Sequence, residues 1–323
     1  MRESYIHNDL DIALAGFQST ADQIVDSLRK SVEMRPQQSL IYHYTNDIGL
    51  KGIIESGQLW LSDIFSLNDP SELSHGLSHA AEILDSKTKN GPTEAEEFAK
   101  KFANFCQDGL RESAHYFVCS FSYDSNDLGQ WRAYADNGRG YALGFDAQAL
   151  VDVLVRNEAD SSERNIRTFP LAYDDKELVN IHRQLIESAL PLISLPNTKT
   201  LDNWQLNNYW RDLSINLSLY TLEAALYFKH KAYKNESEFR LLQISRGDIP
   251  APNVKWRHRP YELVKYIEFD WRSLRPEALK HIVIGPAADQ HKATPFVKDC
   301  LKAFHTGDVE VTCSEIPYRA VPT

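Results

Sequence analysis

Two carboxylates and a guanidinium recur at every second position in Glu236-x-Glu238-x-Arg240. On a β-strand, whose side-chain period is two, all three share one face. Such a face can line a cleft in which a carboxylate steadies developing positive charge, or it can be a solvated edge with one weak ion pair. A second group, His43-Tyr44-Thr45, closes a short β-rich run, with His43 and Thr45 on one side and Tyr44 on the other. A histidine there is either a hydrogen-bonded structural residue or, where a strand hands over to a helix, a ligand contact. A third group is Phe121-Ser122, Gln130-Trp131-x-x-Tyr134 and Gly138-x-Gly140. Its hydroxyl, amide and aromatic groups suit a flat heterocycle and suit an aromatic core equally well. Glu72, His75, His79 and Glu82 share one helical face, as metal ligands would. Leu73, Leu77, Ala80 and Leu84 on the opposite face give the pattern of an ordinary amphipathic helix, and no metal is expected.

These residues need elements to hold them. Residues 8–33 have the apolar spacing of one or two amphipathic helices. Leu40–Thr45 predicts a strand, Ile48–Gly57 a helix stopped by glycine, and Leu59–Leu61 a second strand. Asn68-Asp69-Pro70-Ser71-Glu72 reads as a helix start, with Asp69 at the cap and Pro70 at the first helical position. His115–Ser122 predicts a buried strand, Gln130–Asp136 a short helix, and Arg139–Phe145 a strand whose Gly140, Ala142 and Gly144 leave room for another backbone or a flat ligand. About 175–232 is a helical insertion, Asn235–Leu242 is a strand, and about 280–315 is a strand-helix-strand unit. The expected organisation is a helical lead-in over 1–39 and a single α+β domain over 40–323.

The 323 residues carry a net charge of −10, which repels phosphate backbones and anionic lipid at long range. Non-specific nucleic-acid binding and membrane association are disfavoured, while specific recognition through a local basic patch stays open. Four scattered cysteines without C-x-x-C read as free thiols in a reducing compartment. With no apolar leader and no long apolar window, the expectation is a cytoplasmic protein. The Walker, G-x-G-x-x-G, H-E-x-x-H and G-x-S-x-G signatures are all absent.

In order, His43-Tyr44-Thr45, Asn68-Asp69-Pro70-x-Glu72, Cys119-Ser120-Phe121-Ser122, Gln130-Trp131-x-x-Tyr134-Ala135 with Gly138 and Gly140, and Glu236-x-Glu238-x-Arg240 resemble the bacterial group known as domain of unknown function 2971. More distantly, a His-aromatic-Thr strand followed by a late Glu-x-Glu strand resembles the His-Tyr-Glu branch of ADP-ribosyltransferases. That resemblance implies a split mixed β-sheet with helical insertions, NAD as substrate, and an effector setting in toxin action or phage defence. It implies that His43 and Thr45 hold NAD and that Glu238 is the catalytic carboxylate, with Glu236 orienting the acceptor. Tyr44, Trp60, Trp131 and Tyr134 compete as the ring that stacks on nicotinamide, and Ser122 and Arg240 complete the expected cofactor contacts. The acceptor would be a macromolecule, nucleic acid or protein, and a neutralising antitoxin or inhibitor would be its partner. The alternative is a non-catalytic nucleotide- or peptide-binding module using the same cleft; a weaker one is metal-dependent hydrolysis through His75 and His79.

Overall fold

A computed structural model of the chain describes residues 8–33, 38–66, 71–106, 114–152, 165–195, 201–246, 253–273, 275–305 and 307–319. The described residues form an α+β structure, as expected, and cluster into two compact units. The first unit is assembled from 1–35, 68–115 and 172–232, the second from 36–67, 116–171 and 233–323. Against a lead-in set beside one domain of 40–323, the chain thus alternates between the units.

The first unit is helical. Its members are α1 (Asn8–Glu33), α3 (Ser71–Thr88), α4 (Thr93–Asn104), α6 (Asp175–Ile193) and α7 (Asn203–Ala225). The lead-in α1 is a full member, because Leu10, Leu14, Phe17, Ala21, Val25, Leu28 and Val32 form one continuous buried stripe. The start of α7 is held by a reciprocal capping box, with the Asp202 carboxylate accepting from the Gln205 backbone and the Gln205 side chain accepting from the Asp202 backbone. The proposed helix start at Asn68, Asp69 and Pro70 lies outside the described residues, as do the side chains of Glu72 and His75.

The second unit is built on the sheet. Its strands are β1 (Leu40–Thr45), β2 (Gln58–Asp63), β3 (Ala114–Ser122, of which the unit takes the part from Tyr116), β4 (Tyr141–Asp146), β5 (Asn165–Pro170), β6 (Glu238–Arg246), β7 (Lys255–Arg259), β8 (Glu262–Asp270), β9 (Leu279–Ile284) and β10 (Glu310–Cys313). The order is β10-β9-β4-β1-β3-β2-β8-β7, with β6 also paired to β3 and β5 to β6. The sheet is mixed, since β9 and β10 run parallel while β1, β2, β4, β7 and β8 pair antiparallel with their neighbours. The parallel pair is joined by α8 (Gln290–Phe304), which completes the expected strand-helix-strand tail. Along one face Ile41, Leu59, Leu61, Phe117, Phe121, Phe145 and Ile267 form the main core beneath α2 (Asp47–Ser56) and α8. A smaller core on the other face joins Tyr42, Tyr44 and Val283 to Trp131 of α5 (Leu128–Tyr134).

β3 is where the ladder is thin. β1 is zipped to β4 from Leu40↔Asp146 through Thr45↔Tyr141, yet meets β3 at the single pair Tyr42↔Ser122. β2 meets β3 further along, at Ser62↔Val118 and Asp63↔Phe117. Between these stations a β3 carbonyl is left to be satisfied by something other than strand backbone.

Candidate functional site

The group that satisfies it is His43, whose Nδ1 lies 3.0 Å from the Ser120 carbonyl oxygen. A carbonyl only accepts, so Nδ1 carries the proton and Nε2 keeps its lone pair. The ring rests against Phe121, with centroids 5.6 Å apart, and Nδ1 lies 3.7 Å from Cys119 Sγ. Burial lowers the His43 pKa; the Ser120 carbonyl opposes that shift and the Arg257 guanidinium adds to it. A neutral imidazole with a fixed tautomer therefore sits in the seam, presenting an acceptor nitrogen suited to a hydroxyl donor. Burial also pushes the Cys119 thiol up to about 12, which leaves it protonated and inert.

Several neighbours named by the sequence are committed to structure. The Tyr44 hydroxyl donates to the Asp124 carbonyl at 2.8 Å and accepts from the Asp127 amide at 3.2 Å. Its ring stands edge-on to Trp131 at 4.8 Å, and Trp131 is fully buried with Nε1 donating to Asn126 Oδ1 at 3.0 Å. Tyr44 and Trp131 thus clamp the turn whose Asp127 caps α5 by accepting from the Gln130 amide, and neither offers an open ring face. Ser122 Oγ donates to the Glu236 carbonyl at 2.7 Å and accepts from the Asp124 amide at 3.0 Å. Thr45 packs its hydroxyl on Gly49, where an added Cβ would fall 1.9 Å from Oγ1. Tyr134 remains 42% exposed. The thin face of β4 is filled from within the chain: a Cβ on Gly140 would meet the Thr45 carbonyl oxygen at 2.1 Å, and one on Gly144 would meet the Tyr42 ring at 2.7 Å. Of the two occupants expected there, β4 receives backbone and a tyrosine ring.

The acidic motif does not run along one strand face. β6 begins at Glu238, Glu236 ends a 3₁₀ turn over Lys231–Glu236, and Ser237 between them has φ of +46°. That left-handed residue breaks the period of two, so Glu236 leaves the face it was expected to share. Glu238 and Arg240 do share a face, buried at 5% and 2% exposure, with Arg240 Nε donating to Glu238 Oε1 at 2.6 Å. Phe239 and Leu241 join the main core. Alternation therefore puts Glu238 and Arg240 on the opposite sheet face and His43, two residues from the core residue Ile41, on the core side.

That opposite face carries residues the motifs missed. Trp60, Ser62, Tyr266 and Arg257 share it through the pairs Trp60↔Glu268, Ser62↔Tyr266 and Lys255↔Tyr266. Trp60 is 45% exposed and stacks on Tyr266 at 4.3 Å, while Arg257 Nη2 donates to Ser62 Oγ at 3.0 Å. The alternation Lys255-x-Arg257-x-Arg259 was the available signal for Arg257. Elsewhere, His79 lies near enough to the buried His182 to depress its pKa further, and among the described residues no group of three or more His, Cys, Asp or Glu side chains could hold a metal ion.

Residues 130–241 match the family described as Protein of unknown function (DUF2971). That match covers about a third of the chain, and over this stretch the chain is similar to the DUF2971 family. The DUF2971 match takes in the α5 motif Gln130-Trp131-x-x-Tyr134 and the Glu238/Arg240 pair, and begins after the strand that carries His43. No curated protein and no solved structure matches the chain.

Proposed function

We propose that this protein binds NAD at the β1/β3 seam and acts as an ADP-ribosyltransferase on a macromolecular acceptor. The reading is carried by His43: the Ser120 carbonyl fixes its tautomer and burial keeps it neutral, so Nε2 is an acceptor for a ribose hydroxyl. Glu238 supplies the carboxylate that an oxocarbenium-like centre requires, oriented by Arg240. His43 and Glu238 stand on opposite faces of the sheet, and the transferase reading requires both to reach the ligand. The setting as a toxin or anti-phage effector, kept in check by an inhibitor, rests on the resemblance in sequence.

Calorimetric titration with NAD and release of labelled nicotinamide test this reading. His43→Ala is expected to weaken NAD binding at least tenfold, and Glu238→Gln to abolish release while NAD still binds. Wild-type release by a folded Glu238→Gln protein overturns the assignment. A second reading, a non-catalytic nucleotide-binding module, is favoured by the 5% exposure of Glu238 and its contact with Arg240. Binding without nicotinamide release by the wild-type protein selects it.

A further inference from the structure

The three cations along one face of β7 are treated differently by the strand beside it. Lys255 Nζ lies 2.6 Å from Glu268 Oε2, and Arg259 is paired with Glu262. Opposite Arg257, between them, β8 places Val264. Among the described residues no carboxylate neutralises Arg257: its Nη2 is held by the Ser62 hydroxyl, and its buried Nε has no acceptor. A half-buried guanidinium beside a second one, Arg259, is held at an electrostatic cost that an anion would relieve.

The surroundings narrow the anion. Trp60 and Ser62 are two residues apart on β2, about 6.6 Å along one strand face. The indole of Trp60 is backed by Tyr266 and is 45% exposed, so a planar group can stack on it. That spacing is close to the separation of base and phosphate in a nucleoside monophosphate. We infer that Trp60, Ser62 and Arg257 form a nucleoside-phosphate subsite, in which Arg257 and Ser62 hold the phosphate and Trp60 stacks on the base. The inference rests on the nucleotide reading above and extends it by assigning the phosphate-bearing half of the ligand to the β2/β7 face.

The test titrates the full chain with AMP, pyrophosphate and NAD, following calorimetry and tryptophan fluorescence, in the wild type, Arg257→Gln, Arg257→Lys and Trp60→Leu. The expected result is AMP binding weakened at least tenfold in Arg257→Gln, partly restored in Arg257→Lys, and a fluorescence change on AMP addition that disappears in Trp60→Leu. Pyrophosphate is expected to depend on Arg257 and to ignore Trp60. AMP and NAD affinities that match the wild type in a folded Arg257→Gln protein overturn the subsite, and so does a wild type that binds neither AMP nor pyrophosphate. The two readings separate cleanly. Arg257-dependent AMP binding without nicotinamide release leaves the subsite standing and removes the transferase. Nicotinamide release with an unchanged KM for NAD in Arg257→Gln does the reverse.

Discussion

Single side chains in this protein owe their chemistry to one or two neighbours. His43 is poised because a carbonyl holds one nitrogen; His182 shows the structural counterpart. It is fully buried on α6, its Nε2 lies 3.0 Å from the Thr221 carbonyl, and its Nδ1 has no hydrogen-bond partner. Burial lowers its pKa to about 4, the Thr221 carbonyl opposing and His79 adding. The unfolded chain binds a proton at this residue below about pH 6.5 and the folded chain does not until about pH 4, so stability falls with pH across that window and levels off beneath it. At roughly 1.4 kcal/mol per unit the group's share is about 3 kcal/mol. Urea unfolding at mildly alkaline and at acid pH is expected to show this loss in the wild type and a smaller one in His182→Gln; equal losses would remove the assignment. Arg240 and Glu238 carry the opposite risk, since breaking a buried pair by truncating one partner leaves the other charge stranded.

At the scale of elements, the turn before α5 is a small machine for placing the Gln130–Tyr134 motif. Asp127 caps the helix, Tyr44 bridges Asp124 and Asp127, and Asn126 takes the Trp131 indole. Asp127→Ala is expected to cost about 1 kcal/mol, the usual value of a lost cap, read as a lower unfolding midpoint. Gly140→Ala should be far worse, because its Cβ would sit 2.1 Å from a backbone oxygen that cannot rotate away; a soluble, wild-type-like melt for Gly140→Ala would contradict that packing. Most elements were legible in the sequence, since periodicity and capping residues act locally: α2 ends at Gly57 with φ of +70°, as its glycine suggested. The start of β6 was not. Asn235 to Leu242 alternates flawlessly on paper, and only the left-handed backbone at Ser237 shifts the strand to Glu238. The Tyr123 amide bonds the Ser237 carbonyl at 3.0 Å and the Ser122 hydroxyl bonds the Glu236 carbonyl, contacts from over a hundred residues away that local pattern cannot anticipate.

For the whole molecule, charge and chain tracing matter most. The net charge of −10 predicts no measurable binding of a short random-sequence duplex at micromolar protein and about 0.15 M salt. Fluorescence anisotropy checks this, and a salt-sensitive rise in anisotropy would show that local cations outweigh the total. Among the described residues no helix is long and apolar enough to cross a membrane, and all four cysteines are free thiols. The chain enters the helical unit three times, and the intervening segments supply the sheet unit. A helical lead-in and a helical insertion far apart in sequence become parts of one unit because each has an apolar stripe that needs a partner: Arg29 of α1 pairs with Glu223 of α7, and Gln18 bonds Asn216 at 2.8 Å.

What the sequence determined by itself was local and periodic: most helices and strands, the glycine-thinned β4 and the α+β class, all set by side-chain period, caps and backbone sterics within a few residues. What the tertiary structure decided was which side chains are spent and which are available. Tyr44, Ser122 and Trp131 look like ligand contacts in the sequence and are consumed by hydrogen bonds and burial. Arg257 sits in none of the quoted motifs, and among the described residues no carboxylate pairs with it, since the strand beside it places Val264 opposite. Availability depends on the register between strands, and register is settled only when the chain has folded.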